Sequence, residues 1–244
     1  MDPMNEPIPK IPPAISARQR LRRMLRPPLI PLTYLLRRRI ISSYLALEPH
    51  PKLHLGCGPH LLQGWLNADR SRSLLNRGGR VYVDAREKLP FPSNTFAFIF
   101  SEHFISCLTL EQGVSLFREF HRILRSGGVV RTSTAGLAAL MDVYLCEQPQ
   151  YRDYVHWASK TFLGSSSDSR AMVINNFFYG FGLRFIYDHE TLAWALKQAG
   201  FSRVVETKIG ESDHPELRAI EGHGLFIPPR FNQLETIVLE ATKE

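Results

Sequence analysis

From Pro51 onward, short apolar runs alternate with longer stretches of helical period. "KLHLG" (52–56), "WLNAD" (65–69), "VYVDA" (81–85), "FAFIFSEH" (96–103) and "GGVVRTST" (127–134) read as five strands. Between the last two, "TLEQGVSLFREFHRILRSGG" predicts a helix with Leu116, Phe117, Phe120, Ile123 and Leu124 as its buried stripe. Thr109 is its expected N-cap with Gln112 three residues on, and Gly127 is expected just past its end. A second helix is expected in "YDHETLAWALKQAGF", capped by His189 or Asp188, with Leu192, Ala195, Leu196 and Ala199 on one face and Gly200 as its stop. "SRVVETKIG" and "LETIVLEATK" supply two final strands, and without a helical pattern between them an antiparallel pair is expected. Residues 136–185, aromatic-rich and containing the flexible "GSSSDS", read as a lid or substrate wall. Strand and helix in alternation predict an α/β domain: a doubly wound sheet covered by helices and closed by the antiparallel strand pair.

The N-terminal 47 residues differ in character and are read as an arm, with the domain in residues 48–244. Residues 1–13 are Pro-rich and expected to be disordered, and the remainder reads as helical pieces broken at Pro27-Pro28 and Pro31. The arm holds nine basic residues against Asp2 and Glu6, which accounts for the whole net charge of +7. Two uses stay open for its arginines, a solvated helix face and peripheral contact with an anionic membrane. The domain itself is neutral, so no nucleic-acid partner is expected.

Cys57, Cys107 and Cys146 form no metal-spaced pair. Neither a disulfide framework nor a metal site is expected, and the chain reads as cytoplasmic. The apolar stretch "PLIPLTYLL" is too short to span a bilayer and lacks a signal-peptide cleavage site. Oligomeric state is not legible.

The candidate chemistry begins at "KLHLGCGPHLLQGWLNAD". A glycine turn after a first strand and an acid ending the second is the layout of a nucleotide-binding unit, in which glycine permits close backbone approach and the acid accepts from a ribose. A dinucleotide fold spaces these by about 20 residues, because a helix lies between them whose N-terminus holds a pyrophosphate. Gly58 and Asp69 are too close for that helix. The loop therefore suits a nucleoside cofactor without a phosphate, and "PHLLQG" leaves room for about one helical turn before strand two. Cys57 reads as a small apolar filler or, less simply, a nucleophile. Asp69 and Asp84 have turn capping as their alternative roles.

The glycine turn, the acids ending strands two and three, "LPFPSNTF", "HRILRSGGVV" and the late strand pair together resemble class I S-adenosylmethionine-dependent methyltransferases. More narrowly, the chain resembles a group of small bacterial methyltransferases, type 11-like, with "LGCG…GWLN.D", "LPF….F..I.SEH" and "GESD.PELR…E.HG" to "ETIV.EA". The resemblance implies a seven-stranded Rossmann-like sheet and S-adenosylmethionine as cofactor. It implies cofactor contacts from Leu55, Gly56, Cys57 and Gly58, from Asp69 on the ribose, from Asp84 and the Ala85 amide on the adenine, and from Ser101. His103 is the candidate general base, with Glu102 orienting it or the substrate, and the alternative is that His103 only shapes the pocket. The implied activity is methyl transfer to oxygen or nitrogen of a small-molecule or glycan acceptor. A non-catalytic cofactor-binding scaffold is the alternative. A nucleotide-sugar or NAD-dependent enzyme is disfavoured by the short loop and by the lack of a Tyr-x-x-x-Lys pair. Ser106, Cys107, Ala97 and Leu183 depart from the group's pattern and thin out the polar groups on the acceptor side.

Overall fold

A computed structural model describes residues 30–70, 80–165 and 167–244, with the side chains of the first helix described from Leu36. The expected disorder at 1–13 and the break at Pro27-Pro28 lie outside these residues. By contact the described residues divide into two compact units, 30–136 with 185–244, and Leu137–Arg184.

The larger unit is built on a seven-stranded sheet. Its strands are β1 (Lys52–Leu55), β2 (Leu66–Asp69), β3 (Val81–Tyr82), β4 (Phe96–Glu102), β5 (Leu124–Ala135), β6 (Arg203–Thr207) and β7 (Thr236–Thr242). They lie in the order β3-β2-β1-β4-β5-β7-β6. β1 to β5 pair in parallel, while β7 runs antiparallel to both β5 and β6. Strand order reverses between β1 and β4, so the carboxyl ends of these two neighbours open the crevice where ligands of such sheets bind.

Each sheet face buries a different kind of cover. Leu53, Leu55, Ile99, Val130, Leu239 and Ala241 pack with three helices, α1 (Ile30–Leu47), α2 (Leu110–Ile123) and α6 (His189–Gln198). Phe98, Phe100 and Val129 meet loop residues instead, Leu62 and Trp65 before β2 and Leu217 and Ile220 before β7. The helix signals were local and strong. Thr109 and Gln112 form the expected capping box on α2, and Leu116, Phe117, Phe120 and Ile123 are its buried stripe. Asp188, rather than His189, caps α6 by accepting from Thr191 N at 2.7 Å.

Four boundaries differ from expectation. Pro31 does not break α1 but is its second residue, where a fixed φ suits the first turn and the missing N–H has no intrahelical partner. β3 ends at Tyr82, because the chain turns at Asp84 and Ala85. α2 ends at Ile123 and β5 starts at Leu124, so Gly127 lies inside the strand, where its amide donates to Lys243 O. The β6–β7 connection does contain a helix, α7 (Pro229–Glu235), yet the strands pair antiparallel because β7 enters between β5 and β6.

In the smaller unit, the stretch read as irregular forms three helices, α3 (Leu137–Leu145), α4 (Pro149–Ala158) and α5 (Arg170–Tyr179), with one π-turn at Ser159–Leu163. Aromatic edges link α4 to the end of α5 through the π-turn: Trp157 meets Phe162 at 5.0 Å, Phe162 meets Phe181 at 4.9 Å and Phe181 meets Phe177 at 5.3 Å between ring centres. Among the described residues no helix is long and apolar enough to cross a membrane.

Candidate active site

The chain passes from β1 to β2 without any helix. Residues 56–65 are turns, in which Gly56 takes φ +76° and Gly58 φ +49°, the left-handed region that glycine enters cheaply. Two side chains grip the Gly58 peptide unit. Its amide donates to Asp69 Oδ2 at 3.1 Å, and its carbonyl accepts from the Arg80 guanidinium. A Cβ on Gly58 would meet no described atom within 4 Å, so the backbone there faces open space. Gly56 is different: a Cβ would fall 2.6 Å from the Phe104 ring, so its missing side chain makes room for protein. Phe104 follows β4, and this contact shows how closely the ends of β1 and β4 approach.

The other expected cofactor residues line the same end of the sheet. Leu55 and Ala85 are buried in the core. Cys57 is buried, and burial with the nearby Asp69 charge pushes its thiol up to about 12, which suits a filler and not a nucleophile. Asp84 Oδ1 accepts from the backbone and Nε of Arg86, and Oδ2 from its guanidinium end. That pairing holds its carboxyl below the usual range, and Asp84 caps its own turn. Ser101 is buried, and its hydroxyl has no partner among the described residues.

On the β4 side the structure separates the two residues expected to act together. Glu102 does not orient His103: its oxygens accept from Gly222 N at 2.8 Å and His223 N at 3.0 Å, tying the β6–β7 connection to the sheet. Burial raises its pKa, against the pull of those two amides. His103 instead bonds through Nε2 to Thr236 Oγ1 at 3.1 Å and stacks on His223 with ring centres 3.8 Å apart. Its backbone is left-handed, φ +45°, an uncommon state for a non-glycine residue that the surrounding contacts must hold. Burial and the neighbouring His223 keep its pKa well below 6.5, so the ring is neutral at pH 7. His223 Nε2 lies 3.2 Å from Glu235 Oε1.

The roles of Glu221, His223, Glu235 and Thr236 were not read from sequence. Their only signal was the letters themselves in "E.HG" and "ETIV.EA", lying more than 100 positions from the strand they meet, as the bond from His223 N to Glu102 shows. Of the departures from the group pattern, Ser106 bonds Thr134 Oγ1 at 2.5 Å in the interior and Ala97 is buried in β4. Leu183 belongs to the smaller unit, where its amide donates to Phe177 O.

The turn suits S-adenosylmethionine. A glycine backbone facing open space, braced by an acid at the end of β2, can receive a nucleoside and amino-acid ligand, and no helix begins between β1 and β2 to meet a pyrophosphate. Comparison with known proteins agrees: residues 53–132 match the family model described as "Methyltransferase domain". Solved structures that match include an S-adenosylmethionine-dependent methyltransferase from Thermotoga maritima, at 16% identity and TM-score 0.48, covering 88% of this chain and 93% of that one. Another, from Archaeoglobus fulgidus, has 14% identity and TM-score 0.46 over 86% and 94% of the two chains. Phosphoethanolamine N-methyltransferase 2 of Haemonchus contortus, in complex with S-adenosyl-L-methionine, has 15% identity and TM-score 0.44 over 86% of this chain and 52% of its own. No curated protein matches the sequence. The matched segment runs from β1 into β5 and contains the glycine turn, Asp69, Asp84, Ser101 and His103. That segment and the strand order support a methyltransferase domain of Rossmann-like fold, with S-adenosylmethionine as the cofactor that such a domain uses.

Proposed function

We propose that the protein transfers the methyl group of S-adenosylmethionine to an oxygen or nitrogen of a small-molecule or glycan acceptor. The observation that carries this reading is the direct turn from β1 to β2, with the Gly58 peptide clamped between Asp69 and Arg80. On this reading, the turn at Leu55–Gly58 meets the methionine part of the cofactor, Asp69 the ribose, and Asp84 with the Ala85 amide the adenine edge. Asp84 keeps its bonds to Arg86, since a carboxylate oxygen can accept more than one donor. Ser101 offers its unpartnered hydroxyl from β4. The bound cofactor supplies an activated methyl group, and the protein supplies approach geometry and treatment of the acceptor's proton.

His103 stands on the acceptor side of this arrangement. Thr236 Oγ1 gives its one proton to Asn232 Oδ1 at 2.9 Å, so the His103–Thr236 bond is donated by His103 Nε2. The neutral ring therefore keeps its lone pair on Nδ1, free to take a proton or to hold a cation.

Calorimetry with S-adenosylhomocysteine and NAD tests the reading. S-adenosylhomocysteine is expected to bind and NAD not to, and Asp69→Ala is expected to weaken the former tenfold or more, about 1.4 kcal/mol. Binding of NAD alone, or equal affinity in the variant, overturns the assignment. Methyl release over a panel of hydroxyl and amine acceptors then separates an active enzyme from a cofactor-binding scaffold.

A further inference from the structure

Three side chains from three separate elements meet beside the end of β4: His103, His223 in the short turn His223–Leu225, and Glu235 at the end of α7. One ligand atom from each lies within 4.8 Å of the others. His223 Nε2 and Glu235 Oε1 are 3.2 Å apart. Two ligands of a single tetrahedral ion, each bound at about 2.0 to 2.1 Å, stand about 3.3 Å from one another, so this pair already has the spacing of a shared metal. His103 brings one ring nitrogen and gives its Nε2–H to Thr236 Oγ1; its ring, stacked on His223 at 3.8 Å, must turn out of that stack for the lone pairs of both rings to reach one ion. Metal-binding histidines are held in this way, with the non-ligating N–H given to an outer acceptor that sets tautomer and ring angle.

Charge favours the same use. Glu235 is only 5% exposed and lies 3.2 Å from His223 Nε2, so water would screen its attraction for a cation held there only weakly. Two neutral imidazoles and one carboxylate carry a single negative charge, which a divalent ion exceeds by one. Two nitrogens and one oxygen suit borderline ions such as Zn²⁺ or Co²⁺ better than Mg²⁺ or Ca²⁺, which prefer oxygen throughout. Three protein ligands leave a fourth position open, the pattern of a catalytic and not a structural site.

We propose that His103, His223 and Glu235 bind a divalent transition ion of the Zn²⁺ class, whose open position takes an oxygen of the acceptor. The acceptor's part rests on the methyl-transfer reading above, while the binding of the ion does not. An acceptor hydroxyl at that position loses its proton to water near neutral pH, because the ion stabilises the oxyanion that remains. The His103 lone pair then holds the ion in place of the proton.

The test uses the full chain, stripped with EDTA, dialysed and titrated with Co²⁺. One equivalent is expected to give visible d–d absorption that Zn²⁺ displaces. His223→Ala, Glu235→Gln and His103→Asn are each expected to weaken Co²⁺ binding tenfold or more, while His121→Gln, a histidine packed on Phe201 elsewhere, leaves it unchanged. A stripped wild-type protein that gives neither the Co²⁺ band nor heat with Zn²⁺ overturns the proposal. So does unchanged Co²⁺ affinity in those variants that keep the wild-type far-ultraviolet spectrum. S-adenosylhomocysteine binding by the same stripped sample separates the two readings: if it persists without a Co²⁺ band, only the metal site fails, and if it is absent beside a clear band, only the methyl-transfer reading fails.

Discussion

Gly56 and Gly58 stand two positions apart in one motif and do different work. Both take left-handed backbone, but only Gly56 has protein against it, the Phe104 ring at 2.6 Å from where a Cβ would be. Gly56→Ala therefore combines the left-handed penalty with overpacking and is expected to cost about 3 kcal/mol. Gly58→Ala carries the first term alone, about 1 kcal/mol, yet it fills the space assigned to the cofactor. Urea unfolding should rank the Gly56 variant as much the less stable, and S-adenosylhomocysteine affinity should fall in the Gly58 variant. Equal stability losses would contradict the different surroundings of the two glycines. At this scale the sequence was informative where a residue's partner is near in the chain, as with Gly58 and Asp69. It misdirected Glu102, whose neighbour His103 was the obvious partner, because the chain leaves β4 at His103 with a left-handed turn and the partners come from Gly222 and His223 for Glu102 and from Thr236 for His103.

Among the elements, that connection is what a local reading could least foresee. It covers a sheet face with loop, and a buried ion triad holds it there. Arg131 on β5 is fully buried, donates through Nε to Glu221 Oε1 and through Nη1 to Glu240 Oε1, both at 2.6 Å, and satisfies the carbonyls of Lys208 and Glu211. Glu221 in turn accepts from Gly210 N, so one guanidinium fixes the segment that carries His223. Arg131→Met leaves two buried carboxylates without their cation and is expected to destabilise the fold by about 3–5 kcal/mol, read as a lower urea midpoint. A loss below about 1 kcal/mol would show the triad to be dispensable. Arg131 interrupts the apolar "GGVVRTST", and sequence offered no way to tell an inward arginine from an outward one. α2 and α6 were legible to within a few residues because their caps and stripes are local, whereas α3, α4, α5 and α7 were not read. β3 was overextended because its apolar letters continue past the residue at which Asp84 turns the chain.

For the molecule as a whole, charge and pH come apart. The basic balance of the sequence belongs to its first 47 residues, whereas buried histidines are expected to make the fold sensitive to acid. His54, 1% exposed beside Asn67, has its pKa lowered to about 4 by burial and by nearby His60. The folded value lies below the unfolded 6.5, so the unfolded chain binds the proton more readily. Stability is accordingly lost as pH falls from 6.5 toward 4 and is independent of this residue above that window. Between pH 7 and pH 5 His54 alone should cost about 2 kcal/mol, with His103 adding in the same direction. Urea midpoints at the two pH values should show this fall, and His54→Gln should flatten it. A slope unchanged by that substitution would assign the acid sensitivity elsewhere.

The two halves of the active site also differ in the length of chain each must close. Asp69 reaches Gly58 across 11 positions, whereas Thr236 reaches His103 across 133. Short loops close early and long ones late, since the entropy of closure is lost before the contact rewards it. On the proposed assignment, a refolding molecule should therefore recover its cofactor turn first and its acceptor side last, passing through a species equipped for the donor and still blind to the acceptor.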